Sequence, residues 1–369
     1  MKINNKIKEG YVLKKLSILL LVLSVLFVSV ACSNQQASTQ EPAQEPAQEP
    51  AQEPAQEPAQ EPASGKKLVA LSQGESGNAW RTTNTIDMEE WAKKSGYDFV
   101  WTDGNNDASK QLSDIQDLIT RKPDILIIAP LQTEAITPAI EMINKAQIPT
   151  ITIDRTLNAS PGEGYYKAQI VQDFVEVGRL AANRAVEMLT EKYGEPKGNI
   201  LEITGTIGAS ASVDQGKGIK EVLENYPDIK IVDSQPGDYN RAVARSVMDD
   251  FLNKYPEDSI DVLICYCDDS ALGSLQAMRD ANRTDLLGKI IAKDGLKDAI
   301  KEVIDGNIDV TYQCPPYFGE VTMDLIDKIL NDGTYETTID VPFKTFDMRE
   351  NKNMTEEYYQ YLLDNNLDY

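Results

Sequence analysis

Between Lys66 and Tyr369, short apolar runs alternate with longer stretches in which apolar residues recur every three or four positions. The runs are "KLVALSQ", "YDFVWTD", "DILIIAP", "PTITID", "KAQIVQ", "NILEITG", "IKIVDSQ", "DVLICYCD", "KIIAKDG" and "IDVTYQC". Each has the length of a β-strand, and the near-continuous apolar character is that of strands buried on both faces. Between the runs, Leu112, Ile115, Leu118 and Ile119 mark one helical face, and Val177, Leu180, Ala181, Ala185 and Met188 mark another. Strand–helix alternation of this kind predicts an α/β fold with parallel sheets covered by helices on both faces. About 300 residues suffice for two domains.

In open parallel sheets, ligands bind beyond the carboxyl ends of the strands. Polar residues that end a run are therefore the candidates for a site. After the first run stand Trp80 and Arg81, and after the second come Asp103, Asn105 and Asn106. "ITIDRTL" ends in Asp154 and Arg155, and "ITGTIGASASVDQGKG" supplies Gln215. "CYCDDSALG" contributes Cys267, Asp268 and Asp269, "AKDG" contributes Asp294, and "TYQCPP" contributes Gln313. Arginines and carboxylates around an aromatic plate match the alternating hydroxyls and apolar ring face of a sugar. Packing roles stay open beside this reading. Trp80 can staple its helix to the sheet, Asp154 and Arg155 can form a surface pair, and Asp268 or Asp269 can cap the helix starting near Ser270. "GTIGAS" lacks the Lys-Ser/Thr of a phosphate-binding loop and reads as a tight strand–helix turn.

The amino-terminal part changes the picture of where the chain works. Five lysines precede the apolar run "LSILLLVLSVLFVSVA" and then Cys32, the pattern of a secretory signal over residues 1–31. "SVAC" resembles the lipobox of bacterial lipoproteins, with Ser29 where an aliphatic residue is usual, so Cys32 is the expected lipidation site. Residues 32–65 carry the tetrapeptide QEPA six times, from Gln40 to Ala63. Proline in every fourth place forbids helix and sheet ladders, which predicts an extended stalk. The formal net charge is −23, which argues against nucleic acid as a partner. The chain contains no histidine, which removes Ser-His, Cys-His and His–metal chemistry. Besides Cys32, the cysteines are Cys265, Cys267 and Cys314, with no C-x-x-C spacing that would suggest zinc.

In order and spacing, "ALSQGESGNAWRTTNT", "ITIDRT", "ITGTIGASASVDQGKG", "CDDSALGSLQAM" and "KDG" resemble the type I periplasmic sugar-binding proteins, the ribose/galactose group that serves ABC importers. The opening motif is most similar to the galactofuranose-binding branch, and the likeness spans Lys66 to Phe346. It implies two Rossmann-like lobes with parallel sheets, joined by a three-segment hinge near Gln172, Gln313 and Phe343. Lobe one would be 66–172 and 314–343, and lobe two 173–313 and 344–369. The implied ligand set is Trp80, Arg81, Asp154 and Arg155 from lobe one, with Asp294 and Gln313 from lobe two and the hinge. Gln215, Cys267 and Asp268 complete the expected ligand-binding residues. The group commonly has Arg at position 215 and Asn at position 267, so this chain lacks two strong hydrogen-bond donors, which leaves the sugar open. The likeness further implies a monosaccharide ligand (galactofuranose-like, or another furanose or pyranose), an ABC permease as partner, lipid anchoring at the outer face of the membrane, no cofactor or metal, a monomer, and no enzymatic activity. The alternative is a sugar sensor that presents its closed form to a membrane kinase or chemoreceptor.

Overall fold

All ten apolar runs form strands. The computed structural model describes residues 65–369; Cys32, the preceding apolar run and nearly all of the QEPA stalk lie outside the described residues. The first half comprises β1 (Leu68–Gln73), α1 (Ala79–Lys94), β2 (Asp98–Asp103), α2 (Ala108–Thr120), β3 (Ile125–Ala129), α3 (Thr133–Ile136), α4 (Ala139–Ala146), β4 (Thr150–Asp154) and β5 (Tyr166–Val171). Next come α5 (Phe174–Tyr193), β6 (Gly198–Thr204), α6 (Ser210–Leu223), β7 (Ile229–Pro236), α7 (Arg241–Lys254), β8 (Val262–Cys265), α8 (Asp268–Asp280), β9 (Ile290–Asp294), α9 (Lys297–Ile304) and β10 (Val310–Gln313). The chain ends with α10 (Gly319–Leu330), β11 (Thr338–Asp340), β12 (Thr345–Asp347) and α11 (Lys352–Asp364).

The strands make two six-stranded sheets, ordered β11-β5-β4-β3-β1-β2 and β12-β10-β9-β8-β6-β7. Every neighbouring pair is parallel except β10 and β12. Strands β1, β3, β4, β8 and β9 are buried along their whole length, which is why their sequences carry no polar alternation. The chain passes from the first sheet to the second after β5, returns after β10, and crosses again after β11. Strands β11 and β12 were not foreseen from the sequence. Each has only three residues at a sheet edge, too short to print a pattern.

Helices cover both faces of each sheet, as the two helical faces read from the sequence require. Ile115 and Leu118 of α2 are fully buried, as are Val177, Ala181 and Ala185 of α5. Helices α5 and α6 touch backbone to backbone, since a Cβ at Gly218 would lie 2.0 Å from the Val175 carbonyl. Among the described residues no helix is long and apolar enough to cross a membrane.

The loops at the carboxyl ends of the two sheets meet. Thr133 N–H donates to the Gly208 carbonyl at 2.9 Å, the Gln132 side-chain amide to the Ile207 carbonyl at 2.9 Å, and Thr156 N–H to the Ser210 hydroxyl at 2.9 Å. The strand ends that topology marks for ligand binding therefore face one another across a narrow cleft.

Candidate functional site

The loop after β1 ends at Asn78, whose side chain accepts from the Arg81 backbone N–H at 2.8 Å and so caps α1. This cap fixes the first helical turn, which carries Trp80 and Arg81 into the cleft. Both are buried, at 8% and 2% exposure. Strand β4 ends on Asp154, held at φ +63°, a left-handed conformation unusual for a non-glycine residue. Such strain costs about 1–3 kcal/mol and collects at functional sites. Asp154 pairs with the Arg81 guanidinium, and Arg155 Nε lies 3.6 Å from the same carboxylate. Arg155 also reaches Glu75 at 2.9 Å and the Leu131 carbonyl at 2.9 Å. The result is a buried chain of alternating charge, Glu75–Arg155–Asp154–Arg81. Burial works to lower the Arg155 pKa, but Glu75 and Asp154 outweigh it and raise it. At Arg81 burial prevails over the pull of Asp154, and the pKa is lowered. Arg81 Nη1 and Arg155 Nε have no hydrogen-bond partner within the protein.

The second sheet supplies the opposite wall. Strand β9 ends on Asp294, again at positive φ (+136°), with Lys293 Nζ 3.1 Å from its carboxylate. The Lys293 ammonium also sits 4.9 Å from the Phe174 ring centre and 5.4 Å from that of Tyr239, within cation–π range. Tyr239 lies over Gly205, where a Cβ would fall 2.0 Å from the ring, so position 205 has room only for glycine. Its hydroxyl is buried without a partner. From across the cleft, the Arg155 guanidinium stands 5.2 Å from the same ring. Asp269, in the first turn of α8, pairs with Arg241 at 2.8 Å.

Trp80 answers both readings of its role. Its ring meets Phe318 edge-on at 5.9 Å, and its indole N–H donates to the Cys314 carbonyl at 2.6 Å. The staple thus runs to the crossover segment after β10, while the side chain also lines the cavity. The space between the walls amounts to about 380 Å³. The walls are close together.

Comparison with known proteins fits this geometry. A model of the periplasmic binding protein domain matches residues 69–334. The chain belongs to this family. The ribose import binding protein RbsB of Bacillus subtilis is 31% identical over 277 residues, covering 75% of this chain and 86% of that protein. The galactofuranose-binding protein YtfQ of Escherichia coli is 29% identical over 272 residues, covering 72% and 83%. A Mycobacterium smegmatis protein solved in complex with β-D-fucofuranose superposes with a TM-score of 0.73 at 28% identity, covering 82% of this chain and 98% of that one. These relatives are binding proteins, not enzymes, and periplasmic binding proteins work outside the cytoplasm.

Of the residues expected from sequence, Trp80, Arg81, Asp154, Arg155, Cys267 and Asp294 line the cavity. Asp268, Gln215 and Gln313 do not. The Asp268 carboxylate turns toward β10 and accepts from Leu296 N–H and the Thr311 hydroxyl, each at 2.7 Å. Gln313 donates to the Tyr358 hydroxyl at 2.9 Å, and Gln215 is buried in α6. Neither aspartate caps α8: Cys267 does, its sulfur accepting from Ser270 N–H at 3.3 Å. Asp103 is likewise engaged elsewhere, accepting from Ser76 and from Asn105 N–H. Sequence reasoning missed Tyr239 and Lys293 and left Asp269 out of the final set. Tyr239 stood in plain view in "PGDYN" after β7, whereas Lys293 lies within a strand, where polar residues were not sought.

With no histidine present, pH dependence between about 5 and 8.5 falls to buried carboxyls. Burial raises Asp294 to about 8 against the pull of Lys293, and raises Asp268 and Asp87 to about 6. Unfolded aspartates titrate near 3.9, so the folded protein holds these protons more tightly than the unfolded chain. Their contribution is fully present below about pH 4 and is lost as pH rises through the folded values. The melting temperature of the unliganded protein is expected to fall from about pH 5 to about pH 8.5, and Asp294→Asn to remove the part of the fall above about pH 7. A melting temperature that rises over this range contradicts the assignment.

Proposed function

We propose that this chain is a lipid-anchored solute-binding protein that captures one monosaccharide between two lobes and hands it to an ABC import permease. The observation that carries the reading is charge balance in the cleft. Arg81 pairs with Asp154, Arg155 with Glu75, Lys293 with Asp294, and Arg241 with Asp269. Cations and carboxylates in the cleft match one to one, and the single imbalance is Lys293 while Asp294 keeps its proton below about pH 8. Unpartnered donors at Arg81, Arg155 and Tyr239 suit a neutral, hydroxyl-rich molecule, because buried donors without partners are costly. Trp80 offers an aromatic face to a sugar's C–H surface. Residues 66–172 with 314–343 would form one lobe, 173–313 with 344–369 the other, and the three crossovers the hinge. The ribose- and galactofuranose-binding relatives, and the neighbour solved with β-D-fucofuranose, support a ligand among pentoses and hexoses in furanose or pyranose form.

Titration of the protein with such sugars should give one-site binding heat and a change in tryptophan emission. That emission change should vanish in Trp80→Phe while Trp91 and Trp101 remain. An unchanged emission response in the variant removes Trp80 from the site. For the anchor, Cys32→Ala should move the protein from the membrane fraction into the medium. Retention on membranes in that variant contradicts lipidation at Cys32.

A further inference from the structure

The cleft continues past Asn78. A second cavity of about 470 Å³ adjoins the one described above and is likewise lined by loops of both sheets. Glu75, Asn78, Asn105 and Asn106 come from the loops after β1 and β2, and Asp238 and Asn240 from the loop after β7. Asn78 borders both cavities, and Tyr239 lines the inner one while its chain neighbours Asp238 and Asn240 line the outer. The Arg155–Glu75 pair links them a second time, with Arg155 on the inner side and Glu75 on the outer. Each space falls within the ~300–1,000 Å³ of small-molecule sites, so the cleft offers two compartments of ligand size.

Backbone hydrogen bonds hold the outer walls. Asn106 N–H donates to the Gly74 carbonyl at 3.2 Å, Asn105 N–H to the Asp103 carboxylate at 2.7 Å, and Asn240 N–H to the Gly237 carbonyl at 2.9 Å. Asn105, Asn106 and Asp238 stand at φ +52°, +59° and +52°, a region that asparagine and aspartate enter more readily than most residues with a side chain. Their polar groups are not used by the fold. The Asn78 and Asn240 side-chain oxygens cap α1 and α7, which fixes both amides, and neither amide nitrogen donates to a group among the described residues. The side chains of Asn106 and Asp238, and the Asn105 amide, make no hydrogen bond there either. Burial raises the Asp238 pKa, and the Glu75 charge adds to the rise. Four amides and two carboxylates therefore surround the space, with Val243 as its one apolar side chain and no ring or cation among its lining residues. That set suits hydroxyls on every side. It leaves a phosphate without a counter-charge and an aromatic substituent without a stacking face. Resting on the reading that the inner cavity takes a sugar ring, we infer that the outer cavity is a second sugar subsite. This chain then binds disaccharides or other glycosides whose linkage passes Asn78. Two or three added hydrogen bonds correspond to about one decade in affinity.

The test is isothermal titration of the protein with disaccharides and their component monosaccharides. The sets are lactose and melibiose against D-galactose and D-glucose, arabinobiose against L-arabinose, xylobiose against D-xylose, and sucrose against D-fructose and D-glucose. The expected result is one disaccharide that binds about 10-fold or more tightly than either component. Asn105→Gly with Asn106→Gly removes two outer amides and keeps the backbone conformation, since glycine enters positive φ freely. It should weaken that disaccharide by about 10-fold and leave monosaccharide affinity within about 2-fold of wild type. Asp238→Gly, on the opposite wall, should act in the same direction. Binding of monosaccharides with no disaccharide tighter than its components, or variants that weaken both alike, overturns the inference and leaves the sugar reading intact. If no sugar of either size binds, the sugar reading falls and the inference with it.

Discussion

The buried charge chain Glu75–Arg155–Asp154–Arg81 is the constraint around which the rest of the site is arranged. Taking ions out of water costs several kcal/mol each, and mutual attraction offsets this only where geometry is good and the remaining donors are met. Topology explains why the chain is made of arginines. Its two ends, Glu75 and Arg81, follow β1, its middle, Asp154 and Arg155, stands at the end of β4, and β3 lies between the two strands, so the side chains must span about 10 Å at ~4.8 Å per strand spacing. Arginine has both the length and the forked donors to do so. Strand β3 ends on Ala129, and the Leu131 carbonyl just beyond it accepts from Arg155. The assembly is nevertheless incomplete, because Arg81 Nη1 and Arg155 Nε each lack a hydrogen-bond partner within the protein. In the reading proposed above, hydroxyls from a ligand complete the set.

The same residues tie the two sheets together. Arg155 reaches across to the Tyr239 ring, and Trp80 holds the crossover segment through the Cys314 carbonyl. Three further hydrogen bonds join the loops around Thr133, Gln132 and Thr156 to the start of α6. Apart from Arg155 and Trp80, these contacts run between loops at the rim of the cleft.

Most of the fold was legible in the sequence, for a physical reason: strands covered on both faces must be apolar throughout, and those runs stand out. Strands β11 and β12 were not legible, since three residues at a sheet edge carry no pattern. In the candidate site, the strand-end rule pointed to Asp154, Arg155 and Asp294, which line the cavity because topology alone places those positions there. Choosing between Asp268 and Asp269 depended on helical phase. Helix α8 starts at Asp268, which turns that carboxylate onto Thr311 and leaves Asp269 at the cavity. Capping by Cys267 was equally hidden, since thiols are uncommon caps. The Gln313 contact was not legible because its partner, Tyr358, lies on α11, a helix absent from the pattern read along the chain.

The central claim is that the buried charge chain exists for the ligand and not for the fold. Replacing the Arg81–Asp154 pair together, as Arg81→Met with Asp154→Leu, tests this most directly by thermal melting and sugar titration of one variant. Swapping a buried ion pair for apolar residues of similar size is commonly neutral or stabilising. The expected result is an unchanged or higher melting temperature for the unliganded protein, with at least about a 100-fold loss of affinity for the sugar that the wild type binds best, or ~2.8 kcal/mol. A melting temperature lowered by several degrees with affinity retained would contradict it.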